Sequence, residues 1–96
     1  VLMDYQKLEK DLKVLSDKVR LQVLHLIFQG ERCGCDLLQS LDITQPTLSH
    51  HLKVLSEAGY IMGTKTAQKI HYIVNEEKII DIRNQLGLLL ISEKTC

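Results

Sequence analysis

The chain has a single proline, and its position constrains the fold more than any other residue. Pro46 follows Thr44-Gln45 and precedes Leu48, Leu52 and Leu55, which repeat at helical spacing. Proline breaks a helix interior, but in the first turn its missing N–H has no partner to lose. Thr44 is therefore expected to cap a helix over 45–58, with Gly59 ending it. Just upstream, 34–41 reads as a shorter helix with Leu37, Leu38 and Leu41 inward, and Asp42-Ile43 is the turn between them. Two helices joined by so tight a turn make a helix-turn-helix core.

The flanking segments complete a larger pattern. Leu8, Leu12 and Leu15 mark a helix over 4–15, with Asp4 as N-cap. Ser16 or Asp17 caps the next helix, over about 17–28, where Val19, Val23, Leu24, Ile27 and Phe28 form a broad apolar face before Gly30. After Gly59, residues 60–65 and 69–74 are β-rich, and Thr66-Ala67-Gln68 reads as the tip of a hairpin. Residues 76–91 form a last helix bearing Ile79, Ile80, Ile82, Leu86, Leu88, Leu89, Leu90 and Ile91. That exceeds what one face can bury, so a second subunit is expected against it. The expected fold is mainly α: one winged helix-turn-helix domain over 1–96, with a β-hairpin wing. It would dimerise through its first and last helices, with Leu8, Leu12, Ile79, Leu86 and Leu90 at the seam.

Composition sets limits. Four aromatics among 96 residues leave the core to aliphatic side chains, and a small aliphatic core often gains stability by oligomerising. The net charge of zero argues against a uniformly basic nucleic-acid binder. Its distribution softens the objection, because 44–75 sets Lys53, Lys65 and Lys69 against Glu57 alone and adds His50, His51 and His71. The segments on either side each carry a slight acidic excess. No apolar run approaches the roughly 18 residues that span a membrane, and no secretory leader is legible. Three cysteines, two of them separated by one residue, favour a reducing cytoplasm and metal or redox use over a structural bridge.

Two clusters carry chemistry. Glu31-Arg32-Cys33-Gly34-Cys35-Asp36-Leu37 places two thiols at the start of the short helix. Thiolates select soft ions. A helix N-terminus and Arg32 favour the thiolate, whereas Asp36 opposes it. Two small buried hydrophobes are the alternative. In the second cluster Gln45, Thr47, Ser49, His50 and Lys53 fall away from the Leu48/Leu52/Leu55 stripe. Gln, Ser and Thr can read base edges, while Lys and helix N-terminal amides hold phosphate. A solvated helix face is the alternative. His51 lies nearer the inner edge. Lys65, Gln68 and Lys69 flank the hairpin tip, where a wing would touch DNA, though a polar turn explains them equally well. No Gly-rich phosphate loop, catalytic carboxylate pair or nucleophile elbow is present, so an enzyme is not expected.

With these residues in view, the chain resembles the ArsR/SmtB family of metal-responsive repressors, particularly its arsenical-sensing branch. Leu15-Ser16-Asp17-Lys18-Val19-Arg20-Leu21 is similar to a family Leu-Ser-Asp-Pro-Thr-Arg-Leu segment, departing at Lys18 and Val19. Cys33-Gly34-Cys35-Asp36-Leu37 resembles the family's Cys-Val-Cys-Asp-Leu sensor, and 45–53 resembles its reading helix almost residue for residue. The resemblance implies a homodimer on dyad-symmetric double-stranded operator DNA, released when As(III) or Sb(III) binds the thiols, with no cofactor required.

Three departures bear on the inducer. Some arsenical sensors have a third cysteine where this chain has Leu38. Cadmium and lead sensors add cysteines near the N-terminus, and none precedes Cys33. Zinc sensors place Asp and His ligands on the last helix, which here holds Asp81 and no histidine. Cys96 is the remaining candidate third ligand. A Cd(II)- or Pb(II)-sensing repressor and a thiol-redox or persulfide sensor are the alternatives on the same scaffold.

Overall fold

The computed structural model describes residues 3–91. Five helices and one hairpin follow in order: α1 (Tyr5–Leu15), α2 (Lys18–Gln29), α3 (Gly34–Ser40), α4 (Gln45–Glu57), β1 (Ile61–Thr66), β2 (Lys69–Val74) and α5 (Glu76–Leu90). This is the expected winged helix-turn-helix.

The boundaries follow from side chains that satisfy the first free amides of each helix. Asp4 accepts from the Lys7 N–H at 3.1 Å. Asp17, rather than Ser16, caps α2, accepting from Val19 and Arg20 at 2.9 and 3.1 Å. Thr44 Oγ1 accepts from the Thr47 N–H at 3.4 Å, with Pro46 in the first turn. Gly30 ends α2 at φ 114°, a left-handed conformation that side chains resist.

The hairpin differs from expectation by one residue. Thr66 pairs with Lys69, so the strands run 61–66 and 69–74 around a two-residue turn. Ala67 takes φ 56° in that turn. An alanine there carries none of the Asn-Gly signal that announces such turns. Within the hairpin, Gly63 lies under its cross-strand neighbours. A Cβ there would sit 2.9 Å from Tyr72 Cε1 and 3.0 Å from Ile70 Cγ2.

The core gathers Leu8, Val23, Leu24, Ile27, Leu37, Leu48, Leu52, Leu55, Tyr60, Ile61 and Ile82. The expectation of a purely aliphatic core fails at one place. Tyr60 is fully buried, and its hydroxyl donates to the Asp11 carbonyl at 2.8 Å. A buried tyrosine is tolerated when its O–H finds such a partner. Phe28, expected on the inner face of α2, is 67% exposed. Leu8 is only 3% exposed within the single chain, so it belongs to the core and is not free for a subunit seam. Leu12 and Leu86 are half-buried against the same core, whereas Ile79 and Leu90 remain exposed.

Candidate functional site

The thiol pair lies where α3 begins. Cys33 is the N-cap of α3, in extended conformation, and its Sγ accepts from the Asp36 N–H at 3.3 Å. Cys33 is 5% exposed, while Cys35 and Asp36 face solvent. The two sulfurs are joined in a disulfide, with Cα atoms 5.4 Å apart. The cysteine spacing favoured metal or redox use over a bridge, yet here the pair is bridged. The extended cap residue followed by the first helical turn brings the two Cα atoms within the usual disulfide range.

One Asp36 carboxylate oxygen and the two sulfurs all lie within 4.8 Å of one another. With the disulfide reduced, these three atoms would be the donors of a soft-metal clamp with one hard arm, a set that fits a thiophilic ion. Sequence reasoning treated Asp36 only as a charge opposing the thiolate. Its adjacency to Cys35 was the signal available for a third donor. Leu38 packs against the core. Cys96 lies outside the described residues.

The sensor segment is also tied to the hairpin. Cys33 and His71 form an isolated antiparallel bridge, and the Tyr72 N–H donates to the Arg32 carbonyl at 2.8 Å. Two residues are too few to show strand alternation, so no sequence signal announced this pairing. At the other side of α3, Ser40 Oγ donates to Glu31 Oε1, linking the end of the helix to the segment before it.

The helix after the turn presents the expected face. Gln45, Thr47, Ser49, His50 and Lys53 are all exposed, and Leu48, Leu52 and Leu55 are buried. Thr47 is held in place, since its hydroxyl accepts from Thr44 Oγ1 at 2.9 Å. His51 is 9% exposed, and its Nδ1 has no hydrogen-bond partner among the described residues. It faces the cap of α2. There the Arg20 N–H holds the Asp17 carboxyl below its ordinary 3.8, helped by the Arg20 guanidinium, by His51 and by the Val19 N–H, while burial works the other way. Lys65, Gln68 and Lys69 are exposed around the hairpin turn. The structure thus holds a polar, cation-bearing face on α4 and the hairpin, and the Cys33–Cys35 pair at the start of α3. Among the described residues, no helix is long and apolar enough to cross a membrane.

Comparison with known proteins agrees with this geometry. Residues 17–62 match the family described as bacterial regulatory protein, arsR family. The chain is 40% identical over 94 residues to an arsenical resistance operon repressor of Staphylococcus xylosus, covering 98% of this chain and 90% of that protein. Among solved structures, reduced HlyU from Vibrio cholerae superposes with a TM-score of 0.72 at 28% identity, covering 93% of this chain and 94% of the other. A homodimeric winged helix-turn-helix DNA-binding domain from Mycobacterium bovis shares the fold, with a TM-score of 0.71 at 18% identity, covering 100% of this chain and 96% of that one. The chain belongs to the ArsR family of bacterial regulatory proteins, and it is a DNA-binding transcription regulator rather than an enzyme.

Proposed function

We propose that the chain is a homodimeric repressor that holds dyad-symmetric operator DNA and releases it when As(III) or Sb(III) bridges Cys33 and Cys35. The observation that carries this reading is the position of Cys33. Its Sγ is at once half of the thiol pair and the acceptor that caps α3. The α3 helix packs on α4, which bears the DNA-facing side chains. A ligand that recruits the Cys33 sulfur therefore acts on the brace of the reading helix. The Staphylococcus relative, named an arsenical resistance operon repressor, supports the choice of inducer.

The chemistry balances without electron transfer. Arsenous acid carries three hydroxyls. Each thiol gives up its proton, an S–As bond replaces an As–O bond, and one water leaves. Two such exchanges engage both cysteines. The third position is left to hydroxide, to Asp36 or to Cys96. The Cys33–Cys35 disulfide must first be opened by two electrons and two protons from a thiol reductant. The ligand shifts the DNA equilibrium only by its differential affinity for the free conformation.

Dimerisation is supported by α5, whose Ile79, Ile80, Leu88, Leu89 and Leu90 remain exposed in the single chain. Two reading helices on a dyad would meet half-sites about 34–36 Å apart. Gln45, Thr47, Ser49 and His50 would face base edges and sugar-phosphate, and Lys53, Lys65 and Lys69 would hold phosphates.

The disulfide favours a second reading, a thiol-redox repressor in which peroxide takes two electrons from the pair and leaves two waters. One experiment separates the readings. Reduced protein on operator DNA is titrated with As(III), Cd(II), Zn(II) and peroxide in parallel. Release by As(III) at lower concentration than by any other agent supports the proposal. Release by peroxide alone replaces it with the redox reading. Release by Cd(II) alone replaces it with a divalent-metal sensor.

A further inference from the structure

The sensor segment reaches the DNA-binding elements by two routes, and only one of them runs through α3. Cys33 lies opposite His71 in an antiparallel bridge, and Tyr72 N–H reaches Arg32 O at 2.8 Å. Arg32 and Cys33 thus form a short third strand on the outer edge of β2. Because the Tyr72 N–H points to Arg32, it points away from β1. It belongs to the outer edge of the hairpin and not to the β1–β2 ladder. A two-stranded hairpin is marginally stable in water on its own; this one is held by α4 against β1, by α2 against β2 and by the Arg32–Cys33 edge. This hairpin is almost wholly exposed beyond Ile61, and its turn carries Lys65 and Lys69.

We propose that the wing is a direct output of the Cys33–Cys35 site, through the Arg32–Tyr72 and Cys33–His71 pairing, in parallel with the route through α3 and α4. The inference rests on the reading that these thiols bind the inducer, but its test does not depend on that reading alone. Cys33 pairs with β2 only while its backbone is extended, at φ −101° and ψ 158°. The same backbone aims Sγ at the Asp36 N–H. With the sulfurs bonded directly to each other, Cys33 keeps both its cap and its extended backbone, but an arsenic atom set between them holds the sulfurs farther apart and re-aims that side chain. The residue then gives up its cap, its extended backbone, or both. When the extended backbone goes, β2 loses its outer partner and the lysines at the turn lose their fixed position. Tyr72, through its backbone, and His71, through its register opposite Cys33, are positioning residues for the wing. By linkage, operator bound to the wing weakens inducer binding by the same factor.

The test is amide hydrogen exchange at Tyr72, read in the full-length protein in three states: dithiol, disulfide and As(III)-treated. The loss of one backbone hydrogen bond should speed exchange by about tenfold. The expected result is that faster exchange at Tyr72 on As(III) binding, with the β1–β2 ladder amides at 71 and 73 changing less. Binding is followed separately by sulfur-to-arsenic absorption. Unchanged Tyr72 exchange in a protein that has bound As(III) and released operator overturns the proposal. Should As(III) fail to bind, the functional reading falls instead. The dithiol and disulfide states then decide the coupling: a difference at Tyr72 of about tenfold sustains it, and equal rates overturn it. With Tyr72→Ala as the control that loses the same core-packed ring but keeps the outward N–H, Tyr72→Pro adds a second arm. It should bind As(III) as before, while its uninduced operator affinity and salt dependence fall toward those of the induced protein. Wild-type release by As(III) in that variant would contradict the proposal.

Discussion

Lys78 on α5 reaches Asp11 on α1 at 2.9 Å, with both side chains more than four-fifths buried. Its ammonium also lies 5.4 Å from the centre of the Tyr60 ring. The pair fastens the first helix to the last, the two elements expected at the subunit seam, and it does so above the one buried aromatic.

Breaking one side of this pair should cost more than removing it. Lys78→Met leaves the Asp11 carboxylate buried, with Oδ2 already lacking a partner among the described residues. A loss of about 3–5 kcal/mol is expected for an uncompensated buried charge. The double change Asp11→Leu with Lys78→Met should recover most of it. Urea denaturation of both variants checks the ordering. A single variant as stable as the double would remove the pair from the account.

Tyr60 should ionise late. Burial, with the charges of Asp11 and Asp81, pushes its phenol up to about 12 from an ordinary 10.0. A folded pKa above the unfolded one means that the neutral form is favoured by the fold. That contribution is complete below 10 and is lost as pH rises toward about 12. Spectrophotometric titration of the wild type against Tyr60→Phe should show the late phenolate step only in the wild type. A Tyr60 step near 10 would show that the ring is less enclosed than described.

The reading helix should separate specificity from affinity. Gln45→Ala and Ser49→Ala should each relax base preference, by about 1–3 kcal/mol where a good base contact is lost. Lys53→Ala should weaken binding across all sequences and reduce the salt slope by about one phosphate. Operator and scrambled DNA, compared at two salt concentrations, distinguish the two patterns. Equal losses on both DNAs for all three variants would leave this face with no part in base reading.

Much of this arrangement was legible in the sequence for physical reasons. Caps announce helix ends because amides left unpaired there need acceptors, and Asp4, Asp17 and Thr44 supply them within three residues. The apolar stripe of α4 settled which side chains face outward. What escaped was long-range or too short to repeat. Tyr60 looked like the first residue of a strand because nothing local shows that its hydroxyl meets Asp11, 49 positions earlier. Phe28 looked inward on α2, since a helical period cannot tell how wide the buried face will be. The pairing of Arg32 and Cys33 with β2 involves two residues and leaves no periodic trace. Asp36 was read by its charge, although its place beside the sulfurs depends on the first turn of α3.

The subunit seam is best tested at a residue that the single chain does not need. Leu90 is 74% exposed, so Leu90→Asp should leave the protomer folded while placing a charge in the proposed interface. Sedimentation should show monomer where the wild type is a dimer, with operator affinity lost alongside. A monomeric wild type that binds operator tightly would contradict both the seam and the dyad.

One titration decides whether the Cys33–Cys35 pair is the inducer site. Wild-type protein and the variant combining Cys33→Ser with Cys35→Ser, both reduced and bound to fluorescent operator, are titrated with As(III). Equal starting affinity, release of the wild type, and no release of the variant at the same concentrations are expected. Release of the double serine protein along the wild-type curve would place the inducer site elsewhere.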